Sequence, residues 1–254
     1  MYYDLEKKER IKAGDLFLVT SGCKALVVEY KNSADVIIEF QDKHKHKMRV
    51  EASQLRSGQV KNPYFPSVHK TGYVGVGKYA RYFLSRPTRE YIAWVNMLMR
   101  GYSESYKEKY PTYSEVTVCE EWHNYQVFAE WYVNHEFYDN GYDLDKDILV
   151  RGNKVYSPEF CTLVPCEINN LTLDSGSIRG DSPVGVSWNK SRSKYSAYLK
   201  IDSRCEYLGL FTFAEDASRA YVKAKEQYVK ITASKWRGKI EEKVYHALMN
   251  WTVY

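Results

Sequence analysis

The stretch that decides the fold class is residues 185–228, which read GVSWNKSRSKYSAYLKIDSRCEYLGLFTFAEDASRAYVKAKEQY. Between residues 194 and 201, polar and apolar side chains alternate, as in a strand that buries one face. From Ala214 onward, small and aromatic residues recur at helical spacing, and the small ones let a helix lie close to a sheet. This stripe consists of Ala217, Ala220, Tyr221, Ala224 and Tyr228. The sequence therefore predicts a three-stranded sheet with one face covered by a helix.

The uncovered face of this sheet is expected to be cationic and aromatic. Its central strand places Lys194, Ser196, Tyr198 and Lys200 on that side. Residues 182–207 contain five Lys or Arg side chains and two acidic ones. Because the phosphate backbone attracts cations and aromatic side chains contact bases, this pattern predicts a DNA-binding face.

The same stretch resembles the Apetala-type domain of plant ethylene-response factors, which also occurs in phage and homing endonucleases. The resemblance rests on Gly185-Val186, on Tyr-Leu-Gly-Leu-Phe at 207–211, and on the acidic, alanine-rich helix start at 215–221. Members of that family read the DNA major groove with the sheet. The resemblance therefore implies DNA contacts by Trp188, Lys190, Arg192, Lys194, Tyr198 and Lys200.

The bulk properties limit the compartment and the class of protein. The chain has 254 residues and a formal net charge of +5, so any affinity for nucleic acid must come from local clusters. Five scattered cysteines argue against a secreted disulfide framework. The first residues show no signal peptide, and no apolar run reaches the length of a membrane span. We expect a protein of the cytoplasm, that of the host cell if phage-encoded, with no membrane partner.

Residues 1–68 predict a small β-barrel, because short β-rich runs alternate with turn sequences. Its last strand lies in a basic stretch, residues 43–49, whose Lys45, Lys47 and Arg49 are candidate phosphate contacts. The glycine-rich residues 72–79 lack Walker spacing and favour a bulged strand or hairpin over a phosphate loop.

The middle of the chain follows the order of a second family. It contains a tryptophan helix near residue 94, a Trp-Tyr-Phe helix at 122–128, Leu-Asp-Lys-Asp at 144–147, Gly-Asn at 152–153, and Ile-Asn-Asn at 168–170. This order resembles phage-encoded HNH-type (His-Me finger) endonucleases, in which a ββα unit holds one divalent metal ion against the scissile phosphate. The resemblance predicts an α+β protein with three domains: the barrel at 1–68, an HNH-like ββα-metal domain at 69–175, and the Apetala-type domain at 180–254.

The resemblance also assigns roles to single residues. Lys146 stands at the position of the usual catalytic histidine, and Asp145 is the acidic residue beside it. Asp145, Asp147, Asn153 and Asn169 are the implied metal ligands, with Asn170 as the alternative to Asn169, and their hard oxygen atoms suit Mg²⁺ or Mn²⁺. The metal ion would polarise the phosphate and stabilise the leaving oxygen.

Lys146 leaves three readings open, because a lysine is normally protonated at neutral pH and then cannot accept a proton. Burial could favour its neutral form and make it the base, although Asp145 and Asp147 oppose this. Lys146 could instead bind phosphate while His123 or His135 acts as base. Alternatively, the site is inactive and the scaffold only binds DNA.

A structural zinc ion is a further, less favoured possibility. Cys119, His123, Cys161 and Cys166 include both ligand types that Zn²⁺ prefers. Their spacing lacks the close pairs of a zinc knuckle, and buried free cysteine is common.

These observations predict a divalent-metal-dependent DNA endonuclease or nickase, possibly a homing enzyme, that acts on double-stranded DNA. The alternative is a catalytically inactive HNH-derived DNA-binding regulator or anti-defence factor, for which Lys146 is the argument. A protein adaptor is a third reading, since 24 tyrosines suit an interface. Residues 235–254 predict an amphipathic helix that docks on the preceding domain, in preference to a homodimer contact.

Overall fold

The N-terminal residues form an antiparallel sheet whose strand order is β1-β2-β3-β4. The computed structural model describes residues 10–172, 183–201 and 204–253. The strands are β1 (Leu16–Leu18), β2 (Lys24–Asn32), β3 (Asp35–Phe40) and β4 (Lys47–Val50), and α1 (Ala52–Arg56) follows them. Alternate residues of β3, namely Val36, Ile38 and Phe40, are fully buried.

The predicted N-terminal barrel does not close in the part of the chain that the structure describes. A barrel requires the first strand to pair with the last, whereas β1 and β4 are the two edges of this sheet. Ile11, Leu55 and Val60 join the core of the sheet instead. The helix and the flanking segments therefore cover the apolar face, and an open sheet is sufficient to bury it.

The chain divides into two compact units, Met1–Asn134 and His135–Tyr254. Beyond the sheet, the first unit contains β5 (Tyr82–Phe83), β6 (Arg86–Pro87), α2 (Arg89–Tyr102), α3 (Glu104–Lys109), β7 (Thr117–Val118) and α4 (Tyr125–Val133). The predicted tryptophan helix is confirmed as α2. Its Trp94 is fully buried, and the indole N–H donates to the carbonyl oxygen of Trp122 at 2.7 Å.

The second unit begins with a strand–loop–strand–helix segment. It contains β8 (Asp143–Asp145), β9 (Val155–Tyr156), β10 (Thr162–Val164) and α5 (Cys166–Leu171). Strands β8 and β10 pair antiparallel, so that Asp145 lies opposite Thr162. Helix α5 packs against β8. Ile168 and Leu171 of this helix are buried, which fixes the helix against the rest of the unit.

The predicted C-terminal sheet and its covering helix are confirmed. Strands β11 (Val186–Asn189), β12 (Lys194–Ile201) and β13 (Arg204–Phe211) pair antiparallel in that order. Helix α6 (Ala214–Trp236) covers one face, where Val186, Ala197 and Ala217 form the core. Gly185 has φ +69°, and a Cβ there would lie 2.0 Å from the Tyr221 ring. Glycine therefore permits both the backbone turn and the close approach of the helix.

Helix α6 contributes to two cores of the second unit. Its first turns face the sheet, while Val229 and Ala233 pack with α5 and with α7 (Glu242–Met249). The amphipathic pattern predicted for 235–254 is thus divided, since α6 extends to Trp236 and α7 is a separate helix with Val244 and Leu248 buried. Among the described residues, no helix combines the length and apolarity needed to span a membrane.

Candidate functional site

Asp145 ends β8 and begins the loop at 146–161 that joins the two paired strands. Its Oδ1 accepts hydrogen bonds from the backbone N–H groups of Asp147 at 3.0 Å and Ile148 at 2.7 Å. Burial, followed by the nearby Asp147 carboxylate, raises the pKa of Asp145 to about 6. The carboxyl group is therefore held in a fixed orientation at the start of the loop, where its ionised form is energetically costly.

Lys146 points into the loop, and only 9% of its side chain is exposed. Its ammonium group donates to Asp147 Oδ2 and to the carbonyl oxygen of Asn153, both at 3.0 Å. The Tyr156 ring centroid lies 5.9 Å from the same nitrogen. These contacts pair the ammonium group with Asp147 and engage it within the loop, which favours a structural or phosphate-binding role over that of a base.

The Asn153 amide stabilises the backbone of the loop. Its Nδ2 donates to the carbonyl oxygens of Lys146 and Val155, both at 2.7 Å, and its Oδ1 accepts from the Val155 N–H at 3.1 Å. Both amide hydrogens are thus used within the loop, and only Oδ1 has a further lone pair to offer. Asn153 thus positions the start of the loop at Lys146 relative to β9.

The predicted metal ligands differ in how well they suit an ion. Asp147 is neutralised in part by Lys146, and Asn153 is engaged with backbone. Asp145 and the half-buried Asn169 on α5 offer oxygen atoms. Mg²⁺ is often held by only one or two carboxylates, with substrate phosphates and water completing its coordination. The described residues contain no group of three or more His, Cys, Asp or Glu side chains placed to bind a metal.

The four residues considered for zinc belong to different units of the chain. Cys119 and His123 lie in the first unit, and Cys161 and Cys166 lie in the second. Cys161 is buried, whereas Cys166 is exposed and its sulfur accepts from Asn170 Nδ2 at 3.1 Å. Burial raises the pKa of Cys119 to about 11, which favours the protonated thiol.

His123 lies in the first unit, whereas the loop at 146–161 lies in the second. Its Nε2 is 2.7 Å from the Tyr102 hydroxyl, which also contacts the backbone of Val118. Burial lowers the pKa of His123, so the neutral ring predominates near neutral pH. These contacts fit a packing role between α2 and the segment that precedes α4.

A group around Glu241 escaped the sequence reasoning. Glu241 Oε2 accepts from Thr162 Oγ1 and lies 3.3 Å from His135 Nε2, and Lys243 Nζ is 3.1 Å from Oε1. Burial alone would raise the pKa of Glu241, but these hydrogen bonds and the Lys243 charge lower it to about 2. Since Thr162 lies opposite Asp145, Glu241 anchors the strand beside the candidate site. The partners are 79 and 106 residues away from Glu241 in sequence, and no local pattern reveals them.

The uncovered face of the C-terminal sheet carries an aromatic pair between lysines. Tyr198 and Tyr207 are directly opposite each other on β12 and β13, with ring centroids 5.4 Å apart, and both are exposed. Lys194 and Lys200 are exposed on the same side of β12. We call Lys194, Tyr198, Lys200 and Tyr207 the exposed sheet face. Lys190 and Arg192 lie in the exposed turn that precedes β12.

Trp188 has a different position from the other predicted contacts of the sheet. The register pairs Trp188 with Tyr195 and Val186 with Ala197, so Trp188 lies on the helix-covered side. Its ring centroid is 4.8 Å from that of Tyr195, yet 46% of the residue is exposed at the edge of the sheet. Trp188 could reach a ligand from this edge but not from the exposed sheet face.

The basic stretch at 43–49 is largely balanced by neighbouring residues of the sheet. Lys47 pairs with Glu39 at 3.5 Å, and Arg49 pairs with Asp35 at 3.1 Å. Lys45 is exposed and donates to Gln41 Oε1 at 3.2 Å. The positive charge available to phosphate is therefore smaller here than the sequence alone indicates.

The chain matches no protein-family model, no curated protein and no solved structure. Its function must therefore be argued from the two sites described above.

Proposed function

We propose that this protein binds double-stranded DNA through the exposed sheet face. The observation that carries the proposal is the Tyr198–Tyr207 pair between Lys194 and Lys200 on the face of the sheet opposite α6. Lysine side chains neutralise phosphates, and tyrosine rings offer both apolar contact and a hydroxyl group to the groove. The sequence resemblance to Apetala-type domains, which use the same face, supports the proposal.

The test is the binding of a fluorescent duplex by the full chain over a series of salt concentrations. The quantity measured is the slope of the logarithm of the binding constant against the logarithm of the salt concentration. Because each phosphate contact contributes about 0.9 to this slope, we expect Lys194→Ser with Lys200→Ser to reduce its magnitude by about two. Lys223→Ser with Lys230→Ser on α6 is the matched control, because both lysines are exposed away from the strands. Equal binding by both variants and by wild type would refute the proposal.

A second candidate function is metal-dependent DNA cleavage at the strand–loop–strand–helix segment. The observation that favours it is Asp145, a carboxyl group at the end of β8 that the backbone N–H groups of Asp147 and Ile148 hold in place opposite Thr162. In this proposal the segment is an HNH-like ββα unit, and Asp145 with Asn169 holds Mg²⁺ or Mn²⁺. The bound ion would stabilise the charge that develops on the phosphate. Lys146 and Asn153 maintain the loop, and Lys146 contributes positive charge.

Cleavage of supercoiled plasmid with Mg²⁺ or Mn²⁺ tests this second function. We expect wild type to nick or cut the plasmid and Asp145→Asn to be inactive while it retains DNA affinity. DNA binding without cleavage by wild type with either metal would favour the inactive, HNH-derived regulator or anti-defence factor. The sheet proposal would stand in that case, because it depends on binding alone.

A further inference from the structure

The hairpin of β5 and β6 exposes apolar side chains that serve no packing purpose in the described chain. Phe83 is 71% exposed and Leu84 is 82% exposed, and we call these two residues the hairpin tip. Tyr82 next to them is also largely exposed. Exposed apolar residues are common singly, but consecutive ones at the end of a projecting hairpin indicate a binding surface.

The turn of this hairpin has a backbone conformation that its residues, Leu84 and Ser85, do not favour. Leu84 and Ser85 have φ values of 46° and 63°, which is the signature of a type I′ turn. Such turns favour Asn-Gly, because a leucine at positive φ costs about 1–2 kcal/mol. The chain thus keeps an apolar side chain at a position where asparagine would stabilise the turn. Strain of this kind points to a function of the side chain.

The base of the hairpin is held firmly by the helices of the first unit. The Thr88 N–H donates to the Arg81 carbonyl oxygen at 2.9 Å, and Thr88 also caps α2. The Tyr125 hydroxyl donates to the Ala80 carbonyl oxygen at 2.9 Å. Just before the hairpin, Tyr79 exchanges two hydrogen bonds with the Gln126 side chain, at 2.9 and 3.0 Å. The tip is therefore presented in one orientation.

The charge around the tip identifies the kind of partner. In sequence, the hairpin lies within residues 52–89, which contain seven Lys or Arg side chains and no Asp or Glu. Arg86 lies directly opposite Phe83 in the strand pair, and Arg81 and Lys78 precede the hairpin. Among the described residues these three cations form no ion pair with a carboxylate. They are thus available to a polyanion.

We propose that this hairpin is a second DNA-binding element, which wedges Phe83 and Leu84 between base pairs from the minor groove while Arg81 and Arg86 bind the flanking phosphates. Apolar wedges beside cationic side chains are the general means by which proteins unstack and bend a duplex. The choice of DNA as the partner rests on the proposed function of the exposed sheet face, whereas the wedge itself rests on the hairpin.

The test uses the full chain and a random-sequence duplex with 2-aminopurine in the central base steps, a probe that brightens when it is unstacked. Wild type should raise its fluorescence. Phe83→Ser with Leu84→Asn should abolish the rise and weaken binding about tenfold, and it should not lower Tm, because asparagine suits the turn. Leu18→Ser, at an exposed leucine in the same unit, is the control and should behave as wild type.

A second pair of variants tests the cations. Arg81→Ser with Arg86→Ser should lower the salt dependence of binding by about two, whereas the control Lys12→Ser with Lys31→Ser should not. Hairpin variants that bind and unstack DNA like wild type overturn the inference and leave the sheet proposal intact. Loss of binding in the hairpin variants but not in the sheet variants supports the inference and refutes the sheet. Tip-dependent binding to vesicles of phosphatidylserine and phosphatidylcholine, without DNA binding, overturns both.

Discussion

Asn153→Ala separates a positioning residue from a metal ligand. The sequence resemblance assigns Asn153 to the metal ion, whereas its amide makes three short hydrogen bonds across the loop. A hydrogen bond contributes about 1 kcal/mol, and the variant also removes a donor from the Lys146 and Val155 carbonyl groups. We therefore expect a loss of about 2–3 kcal/mol in the stability of the second unit, with or without metal.

Scanning calorimetry of the full chain measures this loss. For a unit of this size, about 1 kcal/mol corresponds to roughly 4 °C, so the Tm of the second unit should fall by about 8–12 °C in EDTA. Asn169→Ala, whose side chain is only half-buried on α5, is the matched control and should change Tm by less than about 2 °C. An Asn153→Ala variant that melts like wild type in EDTA, and differs only when Mg²⁺ is added, would refute the positioning role.

Three further predictions concern the second unit. Asp145→Asn should increase the free energy of unfolding above pH 6 by up to about 2 kcal/mol and raise Tm accordingly. The reason is that the folded-state pKa of Asp145 is raised, so its ionisation opposes folding as pH rises through about 4 to 6. An unchanged Tm at pH 8 would contradict this. The contribution of Glu241 to stability depends on pH in the opposite direction. Its folded pKa is lowered to about 2, so its stabilisation is present above pH 4.5 and lost on acidification, and Glu241→Gln should flatten the decline of Tm below pH 4.5. Gly185→Ala should destabilise the sheet by about 2–4 kcal/mol, measured by denaturant titration, because of its positive φ and the Tyr221 contact.

The C-terminal sheet could be predicted because, in a strand with one buried face, apolar side chains recur at every second residue. This pattern is local and can be read from a short stretch of sequence. The alternation at 194–201 predicts Ala197 and Leu199 in the core and Tyr198 outside, and the structure agrees. Ser196, predicted on the same side as Tyr198, is buried instead. The β-bulge between Ala197 and Tyr198 was not foreseeable, because it depends on how β13 pairs with β12. The face of Trp188 was missed for the same reason, since it is determined by the register with β12.

Long-range partners explain the other differences between the sequence and the structure. The basic stretch at 43–49 appeared available to phosphate, but its neutralising acids Asp35 and Glu39 come from the adjacent strand. The N-terminal segment has the strand content of a small barrel, yet β1 and β4 are edges of an open sheet. Leu55 and Val60, which lie outside the strands, complete its core. Composition can therefore predict that a segment is basic or forms a strand, but it does not determine which residues that segment pairs with.

The hairpin at 82–87 illustrates what the structure adds to the sequence. Its residues carry no motif, and the glycine-rich stretch before it suggested only a bulged strand or hairpin. Exposure of Phe83 and Leu84, positive φ at Leu84, and a base fixed by Tyr125 become visible only when the fold is present. The exposure and the positive φ cost solubility and stability without benefit to packing. Together with a sequence region free of acidic residues, they support contact with a polyanion that also accepts apolar groups. Duplex DNA has both properties, since its phosphates bind cations and its base steps accept a wedge.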